Sequence, residues 1–422
     1  MDYIKKIYQT PLFRVTSLNS VSVVVRILGG LLASKMLALF VGPSGMALVG
    51  NFRNFLASLD YFSVLGLQNG IIKYTAEHEK DSEKLYHVLA TVFYLVLATV
   101  VVLSIILFTL AELWGEWIFG TREYSWIFRL LAFSMPWYAG NLLFMAILNG
   151  LGRYRQVIGV NIWSNIVGVL LSAVLIWQFG VTGAFFGLLL NPALIFIMSF
   201  YWVYKGFPRF PFLRKKYYDS SLLHRLFSFS LMSLVTALLA PIVYISVRNT
   251  IIEQIGADEA GYWESVNRIA TYYLMFISTL LTVHFLPRLS TATDLSATKK
   301  VFRSYYTGIV PIFALGLIVI YLLRVFMIKM LLSEDFVPME KLFFWQMVGD
   351  FFKVCSLILG YEVIAKKKTT VFIVTETLSF TILYFTSHFF IGEYGIEGAV
   401  MAHAFTYFIY TCMLATYSWK KL

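Results

Sequence analysis

Apolar residues in this chain run in long blocks broken by short polar stretches, with no helical or strand alternation inside the blocks. A helix needs about 20 apolar residues to cross the hydrocarbon of a bilayer. Blocks of that size fall at about 15–40, 46–70, 85–110, 125–149, 156–178, 182–204, 224–250, 261–286, 304–326, 340–364, 370–391 and 396–418. The pattern predicts an all-α polytopic membrane protein with about twelve transmembrane helices. The first two blocks meet at a turn, Gly42-Pro43-Ser44-Gly45, and the second carries Asn51, Arg53, Asn54 and Asp60 at lipid depth. At roughly 100° per residue, Arg53 and Asp60 sit about 20° apart on one face, two turns from each other. Charges at that depth are expensive and are expected to face an interior cavity or a partner.

Composition supports the reading: of 422 residues, 59% are hydrophobic and 14% charged, against about 25% charged in soluble domains. Mean hydropathy is +0.75. The apolar blocks leave no room for a large soluble domain. A net charge of +11 raises nucleic acid as a partner, but the basic residues lie in alternate short loops, as the positive-inside effect places them. On one side are Lys5, Lys6, Arg14, Lys73, Lys80, Lys84, Arg153, Arg155, the 205–221 loop, Arg225, Arg288, Lys299, Lys300, Arg303, Lys366–Lys368, Lys420 and Lys421. The opposite loops carry chiefly Arg122, Arg324, Lys329 and Lys341. Both termini are therefore expected in the cytoplasm. Cys355 and Cys412 form neither a disulfide framework nor a metal-ligand spacing. The N-terminus lacks a cleavable signal pattern, so 15–40 reads as a retained first span.

The basic loop KGFPRFPFLRKKYYDSS divides the chain into an N-terminal six-helix lobe (1–204), a cytoplasmic linker (205–221) and a C-terminal six-helix lobe (222–422). Two lobes of six suggest an internal repeat. VGPSGMALVGNFR (41–53) and IGADEAGYWESVNR (255–268) support it, since each runs from a glycine turn to an Asn/Arg pair.

Eleven charges fall within spans: Arg26, Lys35, Arg53, Arg248, Arg268, Lys353, Asp60, Glu264, Asp350, Glu362 and Glu376. Glu264 with Arg268 and Asp350 with Lys353 have intrahelical pair spacing. Arg248, Lys35 and Glu362 lie near span ends, where a side chain reaches the interface. Arg26 and Arg53 lack a local acid within direct reach. An arginine alone at the bilayer centre costs at least ~2.5–3.5 kcal/mol, so a compensating anion is expected. Arginine's planar fork suits phosphate oxygens. The excess of interior cations indicates a cavity adapted to an anionic group; the alternative is a cross-helix Arg26–Asp60 pair that only holds the fold. No nucleotide, zinc-protease or nucleophile-elbow motif occurs, so no catalytic residues, cofactor or metal are expected. Asp60, Glu264, Asp350, Lys353 and Glu376 are candidates for ion coupling or gating.

Several segments resemble the Wzx-type polysaccharide flippases of the multidrug/oligosaccharidyl-lipid/polysaccharide (MOP) exporter superfamily, in look closest to the lipid III flippases of enterobacterial common antigen synthesis. They are FVGPSGMALVGNFRNF (40–55), NGIIKYTAEH (69–78), FSLMSLVTALLAPIVYISVRN (229–249), FLPRLS (285–290) and WQMVGDFFKVCSLILGYEVIAKK (345–367). The resemblance implies two six-helix lobes around a central cavity, opening alternately to each side of the bacterial inner membrane. It implies an undecaprenyl-pyrophosphate-linked oligosaccharide, such as an O-antigen or common-antigen unit, as substrate. Membrane lipids surround such proteins, and a polysaccharide polymerase and chain-length regulator are their expected partners. By motif match the resemblance assigns substrate contact to Arg53, Lys73 and Arg248. Arg26, Lys35 and Arg268 join them on the cavity argument. The rivals are an ion-coupled drug exporter of the same superfamily and a membrane-embedded glycan polymerase or ligase. A drug exporter is expected to have an acidic cavity, and a polymerase a long non-cytoplasmic loop; neither feature is present.

Overall fold

The computed structural model describes residues 11–208, 210, 213–227, 231–292 and 294–419, with side chains from Val21 onward except at 224, 225, 227 and 231–233. Of the loop cations read above, Lys5, Lys6, Arg209, Lys420 and Lys421 lie outside the described residues, as do the side chains of Arg14 and Arg225.

The described residues are helical with no strand. In chain order the helices are α1 (Pro11–Phe40), α2 (Gly42–Ser63), α3 (Gln68–Glu77), α4 (Ser82–Thr109), α5 (Ala111–Phe119), α6 (Ser125–Gly150) and α7 (Tyr154–Gly206). After the linker come α8 (Ser221–Phe227), α9 (Leu231–Gln254), α10 (Ala257–Leu280), α11 (Leu286–Thr291), α12 (Leu295–Leu322), α13 (Arg324–Leu331), α14 (Phe343–Ala365), α15 (Thr369–Tyr394) and α16 (Ile396–Tyr417). A π-helical turn, Leu281–Phe285, joins α10 to α11, and a 3₁₀ stretch, Glu334–Leu342, leads into α14.

Among the described residues, eleven helical stretches are long and apolar enough to cross a membrane. One of them, α7, is 53 residues long. Straight, it would measure about 80 Å, far more than the ~30 Å of hydrocarbon. It is not straight, because Gly180 inside it has φ +57° and ψ −128°. That left-handed backbone breaks the helix and makes two spans of one, which brings the count to the twelve that the apolar blocks predict. Large apolar side chains on the outer faces, such as Phe133, Ile312 and Leu322, are exposed; these are surfaces for lipid.

The bend in α7 has a counterpart between α15 and α16, where Gly395 has φ +62° and ψ −145°. The surrounding sequence repeats too: Phe179-Gly180-Val181-Thr182-Gly183-Ala184 against Tyr394-Gly395-Ile396-Glu397-Gly398-Ala399. Three residues after each bend the chain passes so close to the preceding helix that a Cβ on Gly183 would fall on the Leu175 carbonyl oxygen, and one on Gly398 on that of Phe390. The predicted repeat therefore has a second, geometric instance, linking spans five and six with spans eleven and twelve. Gly183→Ala or Gly398→Ala is expected to reduce the monodisperse detergent-extracted protein, scored by fluorescence-detected size exclusion. Gly159→Ala, where no atom lies within 4 Å, is the neutral control; equal yields for all three would show that the close approach is not required.

The chain forms two compact units. One comprises the residues up to Met36 together with Phe55–Ala237; the other comprises Leu37–Asn54 and Leu238–Leu422. The border thus falls inside α2, between Asn54 and Phe55. In the first unit, Ser58 Oγ donates to Ala237 O at 2.9 Å and Tyr138 Oη to Leu56 O at 3.3 Å. In the second, the start of α2 is received by α10. Ser44 N donates to Asp258 Oδ1 at 3.1 Å, and Gly261 leaves space for the Pro43 carbonyl.

Candidate functional site

The second unit contains a cluster of three arginines. The middle of α2 supplies Asn51 and Arg53, α9 supplies Arg248 and Asn249, and α10 supplies Glu264 and Arg268. Arg248 is only 1% exposed. Its guanidinium donates to Asn51 Oδ1 and to the Glu264 carboxylate, and lies 5.3 Å from the centre of the Trp263 ring. Asn51 turns its amide nitrogen to Asn249 Oδ1 at 2.9 Å. Gly50 makes the arrangement possible, since a Cβ there would sit 2.6 Å from the Glu264 carboxyl carbon.

The other two arginines lack such partners. Arg268 is buried, its Nη1 meets only the Met46 sulfur at 3.4 Å, and its Nε has no hydrogen-bond partner. A thioether is a weak acceptor. Arg53 is exposed, with no hydrogen-bond or ion-pair partner among the described residues. Arg53 and Arg248 both repel the charge of Arg268. Three guanidiniums thus share one carboxylate, so the cluster carries a surplus of positive charge in a setting where dielectric screening is weak. Such a cluster has the chemistry to accept an anionic group.

A second buried network lies in the same unit. Asp350 on α14 is 0% exposed. It accepts from Tyr273 Oη of α10 and from Gln346 Nε2 at 3.2 Å, and His403 Nε2 of α16 lies 3.0 Å from its Oδ1. Gly349 admits the imidazole, because a Cβ there would collide with the His403 ring. Lys353 Nζ lies 4.8 Å from the centre of the Tyr407 ring, and Glu376 accepts from Tyr410 Oη at 2.6 Å. A void of about 10 Å³, the size of one water, is lined by Tyr244, Trp263, Asn267 and His403. It shares Trp263 with the arginine cluster and His403 with the carboxylate network.

In the first unit, Arg26, Asp60 and Lys73 are exposed and Lys35 is half-buried. Lys73 Nζ lies 5.1 Å from the Tyr74 ring. Asp60 interacts with the Tyr138 hydroxyl; it forms no ion pair with Arg26.

Four expectations from local spacing need correction. Glu264 pairs with Arg248, sixteen residues away on α9, and not with Arg268 one turn along α10. Asp350 is satisfied by a tyrosine, a glutamine and a histidine, and makes no salt bridge with Lys353. Arg248 does not reach to an interface but is almost fully enclosed. Glu362 is likewise buried, with Lys368 Nζ at 3.8 Å. Tyr273, Gln346, His403, Tyr407 and Tyr410 were not singled out by the sequence. Only Gln346 carried a local signal, its i,i+4 spacing from Asp350; the others lie on neighbouring helices, where an apolar block hides them.

The comparisons agree with this architecture. Residues 13–293 match the family described as "Polysaccharide biosynthesis protein". The lipid III flippases of Escherichia coli (strain K12) and Shigella flexneri are each 33% identical over 398 residues, covering 93% of this chain and 94% of theirs. Among solved structures, the fold resembles an inward-facing multidrug resistance MATE family transporter of the MOP superfamily. The TM-score is 0.82 at 14% identity, over 94% of this chain and 97% of the other. It also resembles the lipid II flippase MurJ in an inward closed conformation, with a TM-score of 0.71 at 14% identity over 96% and 87% of the two chains. An all-helical MOP-type fold, a family match over most of the chain and full-length similarity to lipid III flippases lead to one assignment: the chain belongs to the polysaccharide biosynthesis protein family.

Proposed function

We propose that this protein is a flippase that carries an undecaprenyl-pyrophosphate-linked oligosaccharide from the cytoplasmic to the periplasmic leaflet. The carrying observation is the arginine cluster with too few anions: exposed, partnerless Arg53 beside buried Arg268, with one carboxylate among three guanidiniums. A pyrophosphate supplies the missing charge, and arginine forks bind it bidentately. Similarity to lipid III flippases supports the substrate class. The protein acts as a transporter and not as an enzyme, in the bacterial inner membrane with both termini in the cytoplasm. A polysaccharide polymerase and chain-length regulator would receive its product.

In this reading Arg53 and Arg268 engage the pyrophosphate, with Arg26, Lys35, Lys73 and Arg248 contributing along the path. The glycan occupies the aqueous space and the polyprenyl chain stays in lipid. The six-span lobes, 1–204 and 222–422, alternate access around the site. Asp60, Glu264, Asp350 and Lys353 serve coupling or gating. A cation-driven drug exporter would be expected to have the opposite balance of charge.

Expression in a host lacking its own lipid-linked glycan flippase tests the reading. Surface polymer is expected to return, as read by blotting. Failure in two hosts with different repeat units, with the protein present in the membrane of both, would overturn it. Collapsing the proton gradient in the complemented strain then separates a coupled carrier, which stops, from an uncoupled one.

A further inference from the structure

The first unit contains a cavity that the arginine site does not use. It measures about 320 Å³ and is bounded by α4, α6, the end of α7 and the linker. Its walls are almost entirely carbon. Phe144 and Phe196 stack at 5.6 Å, Phe196 and Phe200 lie 5.7 Å apart, and Phe210 of the linker stacks on Phe200 at 5.5 Å. Leu97, on its rim, and Trp137 nearby are exposed, so the cavity lies at a surface that lipid covers.

Two described residues of the linker are tied to α4. Tyr94 Oη donates to Leu213 O at 2.7 Å, and Asp219 N donates to Thr91 Oγ1 at 2.9 Å. Phe210 and Leu213 thereby become part of the wall. The next three residues, Arg214, Lys215 and Lys216, are exposed. Lys205, in the last turn of α7, is also exposed. An apolar cavity whose lining residue Leu213 is followed directly in the chain by three exposed cations is complementary to an amphiphile with a long apolar chain and an anionic head.

We propose that this cavity docks the polyprenyl chain of the lipid-linked substrate at the cytoplasmic leaflet. Arg214, Lys215 and Lys216 would hold its diphosphate before the headgroup moves to the arginine cluster. The proposal rests on the flippase reading. Two features favour a polyprenyl diphosphate over a phospholipid. Each isoprene unit carries a flat double bond that lies against aromatic faces, and its stiffness reduces the entropy lost on ordering. A diphosphate also carries more charge to a cluster of three cations than a single phosphodiester does.

The test is binding of geranylgeranyl pyrophosphate to the full-length protein in phosphatidylcholine nanodiscs. An Arg53→Ala background removes the competing diphosphate site. Leu97→Trp fills the cavity from its lipid-exposed rim without touching the core. Arg214→Glu with Lys215→Glu and Lys216→Glu reverses the rim. Each is expected to weaken binding by about tenfold or more. Geranylgeraniol is expected to bind more weakly than its pyrophosphate, and dioleoyl phosphatidylglycerol not to displace the probe at equal concentration. Unchanged binding in both variants would overturn the proposal, as would equal displacement by phosphatidylglycerol, which would mark a general anionic-lipid site. Because the rim variant alters only exposed linker residues, its result stands even if Leu97→Trp folds poorly. The readout involves no glycan export, so failure here leaves the flippase reading to be judged on surface polymer alone.

Discussion

Arg248→Ala is expected to leave little folded protein in the membrane. The substitution strands the Glu264 carboxylate, itself 8% exposed, without its cation, and removes the donor to Asn51. Breaking a buried ion pair from one side costs about 3–5 kcal/mol, against a total stability of about 5–15 kcal/mol for a typical protein. The loss comes from the uncompensated charge, so removing both charges should be far milder than removing one. Arg248→Met with Glu264→Leu is therefore expected to recover much of the yield while failing to support export. The check is a thermal melt followed by size exclusion on detergent-extracted protein. If Arg248→Ala melts within about 1 °C of the wild type, the change is under about 1 kcal/mol and the pair is not the anchor of this cluster. The double variant also separates structure from transport, because a merely structural role would let it restore export along with yield.

The helices were legible in the sequence because membrane spans are written as unbroken apolar blocks, and lipid imposes their length. Even the division of α7 into two spans could be read, since the blocks at 156–178 and 182–204 part at Gly180. Arg53 was legible for a related reason: a mid-span charge without an acid within direct reach along its helix stands out in one dimension. Partner choice was not. The i,i+4 rule offered Glu264 to Arg268, but the fold brings Arg248 of α9 against the same carboxylate, and a closed cluster of three helices outweighs one intrahelical pair. Asp350 shows the same limit from the other side. Its neighbours Tyr273 and His403 lie 77 and 53 residues away, in blocks whose apolar character gives them no distinguishing signal. The lobe division by chain order also differs from the compact units, because Leu37–Asn54 packs with the later helices. Contact decides that membership, and contact is not a property of sequence position.

Arg53→Ala is expected to cut export severely while leaving membrane levels normal, the reverse of what Arg248→Ala does. Arg53 is exposed and makes no hydrogen bond or ion pair among the described residues, so its removal breaks nothing in the resting fold and relieves its repulsion of Arg268. Stability should hold or rise slightly. Transport should fall, because a hydrogen bond to a charged group contributes about 1.5–3 kcal/mol, roughly ten- to a hundredfold in rate. Arg53→Lys keeps the charge but loses the bidentate fork and is expected to export at an intermediate level. Arg53→Glu sets a carboxylate against the pyrophosphate and is expected to export nothing. The graded order Arg, Lys, Ala, Glu, at equal membrane abundance, is a signature that a packing role does not produce, since it follows charge and sets alanine above the larger glutamate. Arg26→Ala, made in parallel, asks whether this exposed cation of the first unit shares the load. If Arg53→Ala, Arg26→Ala and their double all export at wild-type levels, these two cations do not receive the substrate. The surplus positive charge at Arg268 would then require a different anion, the coupling ion's counter-charge or a carboxylate brought in by another conformation.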